Sequence, residues 1–323
     1  MKSKEYNFVY CFDNNYKIQA FTSMISLLDT VDKKISIFVL FNEENLLNEI
    51  PRVILNHNNL REIKVFKVNT IGYKFPNLTN VHITEATYYR LFFDKYLPED
   101  LEFIIYIDAD MICLNNPLSE INSVFSELKK LNKILGAAKH YEDKFKTELS
   151  VDEKDTLKIF DRLEISDSYF NAGFLIVNLN KWKKESTHKK LIDTMQNNFS
   201  KIVFWDQDVL NLLLNRQYLQ INKNFNFKSS EISINNMNDD ILFLHFMGSK
   251  KPWTLKKNLD YSYELYHRNF RKLGFDENYH LITSWRKDSF KVLIYLILSL
   301  RIFQLDFPIK YFISALKLIK KVN

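Results

Sequence analysis

Residues 102–111 read Glu102-Phe103-Ile104-Ile105-Tyr106-Ile107-Asp108-Ala109-Asp110-Met111. A short, wholly apolar run bounded by charge predicts a buried strand. The two carboxylates that follow stand one residue apart where the chain leaves strand geometry, so both can reach a single hard cation. Such an arrangement suits a metal holding a diphosphate. Aspartates also end strands simply by making local turns, so the rest of the chain must decide between the two roles.

Outward from this segment, short apolar runs alternate with helical patterns, which predicts an α/β sheet. Strands are expected at 6–12, 35–41, 62–68, 134–139, 169–179 and 241–246. A helix is expected over 17–28, where Phe21, Met24, Ile25 and Leu28 fall on one face. Others are expected at 45–56, with Pro51 as a bend or a start, and at 85–96, 181–197 and 206–215. No G-x-G-x-x-G follows the first strand, where Phe12-Asp13-Asn14-Asn15-Tyr16 stands instead. That argues against a dinucleotide enzyme. Asp13 and Asn15 could bond a uracil and ribose there, or could form an Asx turn into the helix.

With 323 residues, 46% of them hydrophobic, the chain can bury a large core, and five glycines and six prolines leave no linker to divide it. The N-terminus lacks an apolar signal region. Cys11 and Cys113 form neither a zinc pattern nor a disulfide framework, so free thiols in a reducing cytosol are expected. From Ser284 to Asn323 eight Lys/Arg face two Asp, and this accounts for the whole net charge of +6. A neutral body with a basic tail gives no nucleic-acid footprint.

Six segments then fall in order: Phe12-Asp13-Asn14-Asn15-Tyr16, Ala86-Thr87-Tyr88-Tyr89-Arg90-Leu91, Tyr106-Ile107-Asp108-Ala109-Asp110, Tyr169-Phe170-Asn171-Ala172-Gly173, Trp205-Asp206-Gln207-Asp208-Val209-Leu210-Asn211, and His245-x-x-Gly248-x-x-Lys251-Pro252-Trp253. Over roughly residues 6–255 this resembles the retaining family 8 glycosyltransferases, in particular bacterial galactosyl- and glucosyltransferases that extend lipopolysaccharide and related surface glycans. The resemblance implies a GT-A type Rossmann-like mixed sheet flanked by helices, with a catalytic domain at 1–258. A basic helical, membrane-associating extension would occupy 259–323.

The same resemblance implies that Asp108, Asp110 and His245 ligate Mn²⁺ or Mg²⁺ bridging the phosphates of UDP-glucose or UDP-galactose. Lys251 would add positive charge there, and Gly248 would let the backbone approach closely. Asp13 and Asn15 would hold the uridine. Arg90, Asp108, Ala109, Asn171, Asp206 and Gln207 would line the donor site. Gln207 would lie nearest the reacting face of the sugar, and since an amide is a poor nucleophile, a front-face mechanism is favoured, with Asp206 as the fallback nucleophile. Competing structural roles are a packed imidazole for His245, a bulge at Asn171-Ala172-Gly173, an Arg90–Asp94 pair and a helix cap for Asp206. Phe12 departs from the family, which places a small residue there. His82 falls where acceptor sugar is contacted, and 141–167 reads as a loop over the acceptor cleft. A D-x-D phosphotransfer or phosphohydrolase enzyme and a non-catalytic glycan-binding scaffold are the alternatives.

In the tail, Val292 to Leu300 is too short to cross a bilayer, which needs about 20 residues. Ile309, Phe312, Ile313, Leu316 and Ile319 recur at helical spacing opposite Lys310, Lys317 and Lys321. This pattern fits an interfacial helix on an anionic membrane surface, peripheral on the cytoplasmic side, next to a saccharide or lipid-linked acceptor. A helix docked on the body is the other reading.

Overall fold

The apolar run before Asp108 is the central strand of the molecule. A computed structural model describes residues 5–78, 84–141, 158–165, 168–215, 217–232, 240–248, 251–255, 259, 261–282 and 286–321. Its main sheet has seven strands in the order β3-β2-β1-β4-β7-β6-β8. These are β1 (Asn7–Cys11), β2 (Ile35–Phe41), β3 (Leu60–Lys67), β4 (Phe103–Ile107), β6 (Leu135–Tyr141), β7 (Tyr169–Asn178) and β8 (Tyr218–Ile221). β1, β2, β3 and β4 run parallel, while β7 is antiparallel to both β4 and β6. A second sheet, β5-β10-β9, joins Met111–Cys113, Phe243–His245 and Phe227–Lys228.

β1, β2 and β4 are buried on both faces, the condition that writes a strand as a continuous apolar run. Phe8 and Tyr10 face one core cluster and Val9 and Cys11 the other. Helix α1 (Lys17–Thr30) and α2 (Leu118–Lys130) cover the first face; α3 (Leu179–Lys184), α4 (Thr187–Asn197) and α5 (Trp205–Leu214) cover the second.

Three expected helices differ in form. The 45–56 pattern splits into a 3-10 turn and a short helix starting after Pro51, whose fixed φ suits a start better than an interior. The 181–197 pattern breaks at Ser186, which adopts φ 53°. Residues Glu85–Phe92 wind as a 3-10 helix before one α-turn, Phe93–Tyr96. Of the expected acceptor loop only part is described, and that part is no simple loop: 158–163 is helical, and Ile159, Phe160 and Leu163 pack on Tyr169. His82 lies outside the described residues.

After the second sheet comes α6 (Tyr261–Arg271), whose Tyr266 and Phe270 join the main core. α7 (Arg286–Leu298) and α8 (Pro308–Lys321) follow. Tyr263, Tyr279, Leu296, Ile302 and Tyr311 form a small core beneath them. Asp306 pairs with Arg268 at two 2.8 Å contacts and with Arg271 at 2.8 Å, pinning the tail to α6. Among the described residues no helix is long and apolar enough to cross a membrane.

Candidate active site and metal centre

β1 and β4 are parallel neighbours at the point where strand order reverses, so the segments leaving them, with Asp13 and Asp108, emerge on the same edge of the sheet. Crevices at such switch points are where open α/β sheets bind ligands. β5 starts directly after Asp110 and pairs antiparallel with β10, setting His245 opposite Met111. That register carries an imidazole from far along the sequence to the Asp pair.

One ligand atom from each of Asp108, Asp110 and His245 lies within 4.8 Å of the others. His245 Nε2 stands 3.2 Å from Asp110 Oδ1 and 3.9 Å from Asp108 Oδ2. Two carboxylates and one imidazole fit a divalent cation of the Mg²⁺ or Mn²⁺ kind. Lys251 donates to Asp110 and, at 2.7 Å, to the Phe246 carbonyl. Burial opposes the charge on Asp110, but Lys251 beside it outweighs that and holds the carboxyl well below the usual range. His245, though buried, has its Nε2 within reach of both carboxylates.

Arg90 does not pair with Asp94. Its guanidinium donates to Asp108 Oδ1 at 2.9 Å and to the Ala172 carbonyl at 2.5 Å. Nε lies 2.8 Å from Asp206 Oδ2, although its N–H is aimed at the Thr87 carbonyl at 3.2 Å. Thr87 Oγ1 donates to the other Asp206 oxygen at 2.8 Å. The 3-10 winding explains this grouping, since residues three apart eclipse and Thr87 and Arg90 face the same way. The Tyr106 ring supports the guanidinium at 4.3 Å, and its hydroxyl donates to Asp108. Burial pushes the Asp206 carboxyl up to about 6 despite Arg90 and Thr87.

Asp206 is not the helix cap. Phe204 stands at the cap position with no side-chain cap bond, and Asp208, one turn into α5, reaches back to accept from the backbone of Val203 and Phe204 ahead of the helix at 2.8 Å each. Trp205, at φ 48°, turns the chain into the helix, with Asp206 meeting Thr87 and Arg90 and Gln207 meeting β7. Gln207 Oε1 accepts from Ala172 N at 3.0 Å and Nε2 donates to Tyr169 Oη at 3.0 Å. Asn211 makes a reciprocal pair with the Phe170 backbone, so α5 is riveted to β7.

Asp13 and Asn15 make the Asx turn: Asp13 accepts from the Asn15 backbone at 2.9 Å and from its side chain at 3.3 Å. Gly248 has φ 70°, and a β-carbon there would meet nothing within 4 Å, so glycine serves the backbone conformation beside open space. Ala109 is buried between the aspartates. Asn171-Ala172-Gly173 lies in β7 where a bulge is expected: the register with β6 jumps from Ala137 opposite Leu175 to Lys139 opposite Phe170, while pairing to β4 is unbroken from Phe174 onward. Asn171 Oδ1 accepts from Gly173 N at 2.9 Å and from Asn226 Nδ2 at 2.8 Å. The sequence did not single out Asn226. It sits in an Asn-rich turn, Asn222-Lys223-Asn224-Phe225-Asn226, with no motif to mark it.

This fold has counterparts among solved structures. The structure superposes on the galactosyltransferase LgtC, solved with donor and acceptor sugar analogs, with a TM-score of 0.65 at 20% identity, covering 86% of this chain and 98% of LgtC. In sequence, a lipopolysaccharide 1,2-glucosyltransferase of Escherichia coli is 25% identical over 305 residues, 88% of this chain and 81% of the relative. A lipopolysaccharide 1,3-galactosyltransferase of Salmonella typhimurium is 26% identical over 259 residues, 77% and 73%. The family model for glycosyl transferase family 8 matches residues 7–257, and with its GT-A fold the chain belongs to glycosyltransferase family 8.

Proposed function

We propose that the protein transfers glucose or galactose from a UDP-sugar to a saccharide acceptor of a bacterial surface glycan, lipopolysaccharide foremost, with retention to give an α-linkage. The observation that carries this reading is the convergence of Asp108, Asp110 and His245 at a sheet switch point beside Lys251. The names of the sequence relatives support the surface-glycan acceptor. A Mn²⁺ or Mg²⁺ held by these three residues would offset charge on the diphosphate leaving group. Lys251 adds a fixed cation to the same place. Asp13 and Asn15 receive the uridine side, while Arg90 bridges Asp108 and Asp206 beside the sugar position.

A front-face mechanism fits the two side chains nearest the sugar position. The Asp206 carboxylate is 3% exposed and engaged by Arg90 and Thr87, which blunts it as a nucleophile. The Gln207 amide is tied at both ends. The departing diphosphate then takes the proton of the acceptor hydroxyl. In D-x-D phosphohydrolases the nucleophilic aspartate follows the first strand; here Asp108 follows β4 and is already bonded by Arg90 and Tyr106.

The tail suits a membrane surface, with the catalytic unit taken as 1–258 and the extension as 259–323. Tyr311 and Ala315 dock α8 on the body, yet Ile309 is 74% exposed, Leu298 79%, and Leu300 and Phe303 66% each. The same tail carries exposed Lys291, Lys310 and Lys317. An apolar turn flanked by lysines matches an anionic bilayer interface on the cytoplasmic side, where a lipid-linked acceptor would be met. Two buried free thiols agree with that compartment.

UDP release from a panel of sugar nucleotides, with Mn²⁺ and without acceptor, tests the donor reading. One UDP-hexose should be hydrolysed slowly in preference to the rest; no release from any of them would sink the proposal.

A further inference from the structure

His245 can offer Nε2 to a cation only when its proton sits on Nδ1, and a chain of hydrogen bonds in the structure dictates that choice. The chain begins at a backbone N–H, a group that can only donate. Gly173 N lies 2.9 Å from one end of the Asn171 carboxamide, so that end is the oxygen. The same oxygen is 2.8 Å from Asn226, which must therefore turn its NH₂ toward it. The other end of the Asn226 carboxamide is then its oxygen, 2.7 Å from His245 Nδ1, and an oxygen there requires an N–H. In the neutral ring Nε2 then carries the lone pair, facing Asp110 and Asp108.

Tertiary structure sets up this relay. Asn226 ends the 3-10 helix Lys223–Asn226, and β9 directly after it runs parallel to β10, with Phe227 opposite Leu244 and Lys228 opposite His245. Asn226, Asn171 and His245 are 6%, 9% and 4% exposed, so water does not compete for these bonds.

We infer that Asn226 is a positioning residue of the metal centre: it fixes the tautomer and ring plane of His245, and thereby the cation affinity of the Asp108–Asp110–His245 set. Outer partners of this kind commonly change metal affinity by about 10–100-fold. The inference rests on those three residues being metal ligands, but the tautomer can be measured without metal.

The test uses the full chain with ¹⁵N-labelled histidine, with two-bond correlation spectra of the metal-free protein at mildly alkaline pH and Mn²⁺ titrations followed by electron paramagnetic resonance. The His245 signal should show Nδ1–H in the unsubstituted protein. In Asn226→Ala it should shift to a tautomer mixture, with Mn²⁺ affinity falling about 10–100-fold. Asn226→Asp, which still accepts from Nδ1–H, should recover the Nδ1–H signal and part of the affinity. An Nε2–H signal in the unsubstituted protein overturns the inference even if no variant folds, and so does an Asn226→Ala protein with unchanged tautomer and affinity. If the unsubstituted protein shows Nδ1–H yet binds no Mn²⁺, the metal reading falls, and with it the claim on affinity.

Discussion

Gly173 and His245 are packed so closely that the backbone of one leaves room only for the ring of the other. A β-carbon on Gly173 would stand 2.7 Å from His245 Nδ1 and 2.9 Å from Asn171 Oδ1, and nearer still to Cε1 of the ring. Its φ is not in the left-handed region, so glycine is required for space alone. The strand must be bare for His245 to lie against it.

Gly173→Ala should therefore push the imidazole off its line toward the aspartates. Overpacking of this kind costs about 1–3 kcal/mol. We expect a modest fall in thermal stability and a loss of Mn²⁺ binding of at least about 10-fold, as for a lost outer partner. Calorimetric titration with Mn²⁺ beside a thermal melt checks both, and an unchanged Mn²⁺ isotherm would show that the ring has room to spare.

Removing the metal should abolish turnover, and adding Mn²⁺ back should restore it. Asp110→Ala should not be rescued, because it removes a ligand and leaves Lys251 and His245 facing each other without their shared carboxylate. Asp108→Ala should be equally inactive. Chelator-insensitive activity in either variant would refute the metal centre.

Arg90 is 5% exposed and joins Asp108 to Asp206. Arg90→Ala leaves two carboxylates without their cation and should cost about 3–5 kcal/mol of stability. Arg90→Lys keeps the charge but loses the planar fork, so the fold should survive while kcat/KM drops about 100-fold, or roughly 2.7 kcal/mol of transition-state stabilisation. Denaturant unfolding beside steady-state kinetics separates the two effects. Equal kcat/KM for lysine and arginine at this position would show that charge alone suffices.

His280 is packed against Phe270 at 5.5 Å, Trp253 at 6.5 Å and the Tyr266 hydroxyl at 3.0 Å, and burial pushes its imidazole down to about 4. The unfolded chain takes up a proton near pH 6.5 that the folded chain refuses until near pH 4. Folding stability is therefore complete above about 6.5 and declines as pH falls through that window, by up to about 3 kcal/mol. Urea unfolding at pH 7 and pH 5 should show this drop in the unsubstituted protein and a smaller one in His280→Gln; identical drops would remove His280 from the account.

Replacing Leu300 and Phe303 by serine should release the protein from vesicles containing anionic lipid, while UDP-sugar hydrolysis and melting temperature stay unchanged. Point changes are preferable to deleting residues 284–323, since Leu296, Ile302 and Tyr311 share a core with Tyr263 and Tyr279. Sedimentation of the double variant with vesicles at the level of the unsubstituted chain would leave the tail a docked helix and no more.

Of this protein the sequence by itself determined the alternating α/β plan, the D-x-D strand and the order of the six site segments. Those features are local: a doubly buried strand must be apolar throughout, and chemistry at a strand end needs particular side chains within a few residues. The charge division between body and tail was equally legible. Tertiary structure alone decided the partners. Arg90 had an acidic residue one helical turn away and ignored it, because 3-10 winding and the β4–β7 edge offered Asp108 and Asp206 instead. Asp206 resembled a cap, but Phe204 takes that position and Asp206 turns to Thr87 and Arg90. Gly173 and Asn226 had no readable role, since each acts on His245 across a strand pairing that no local pattern encodes. A contact between distant segments depends on register and packing, and in this chain those fix the geometry of the site.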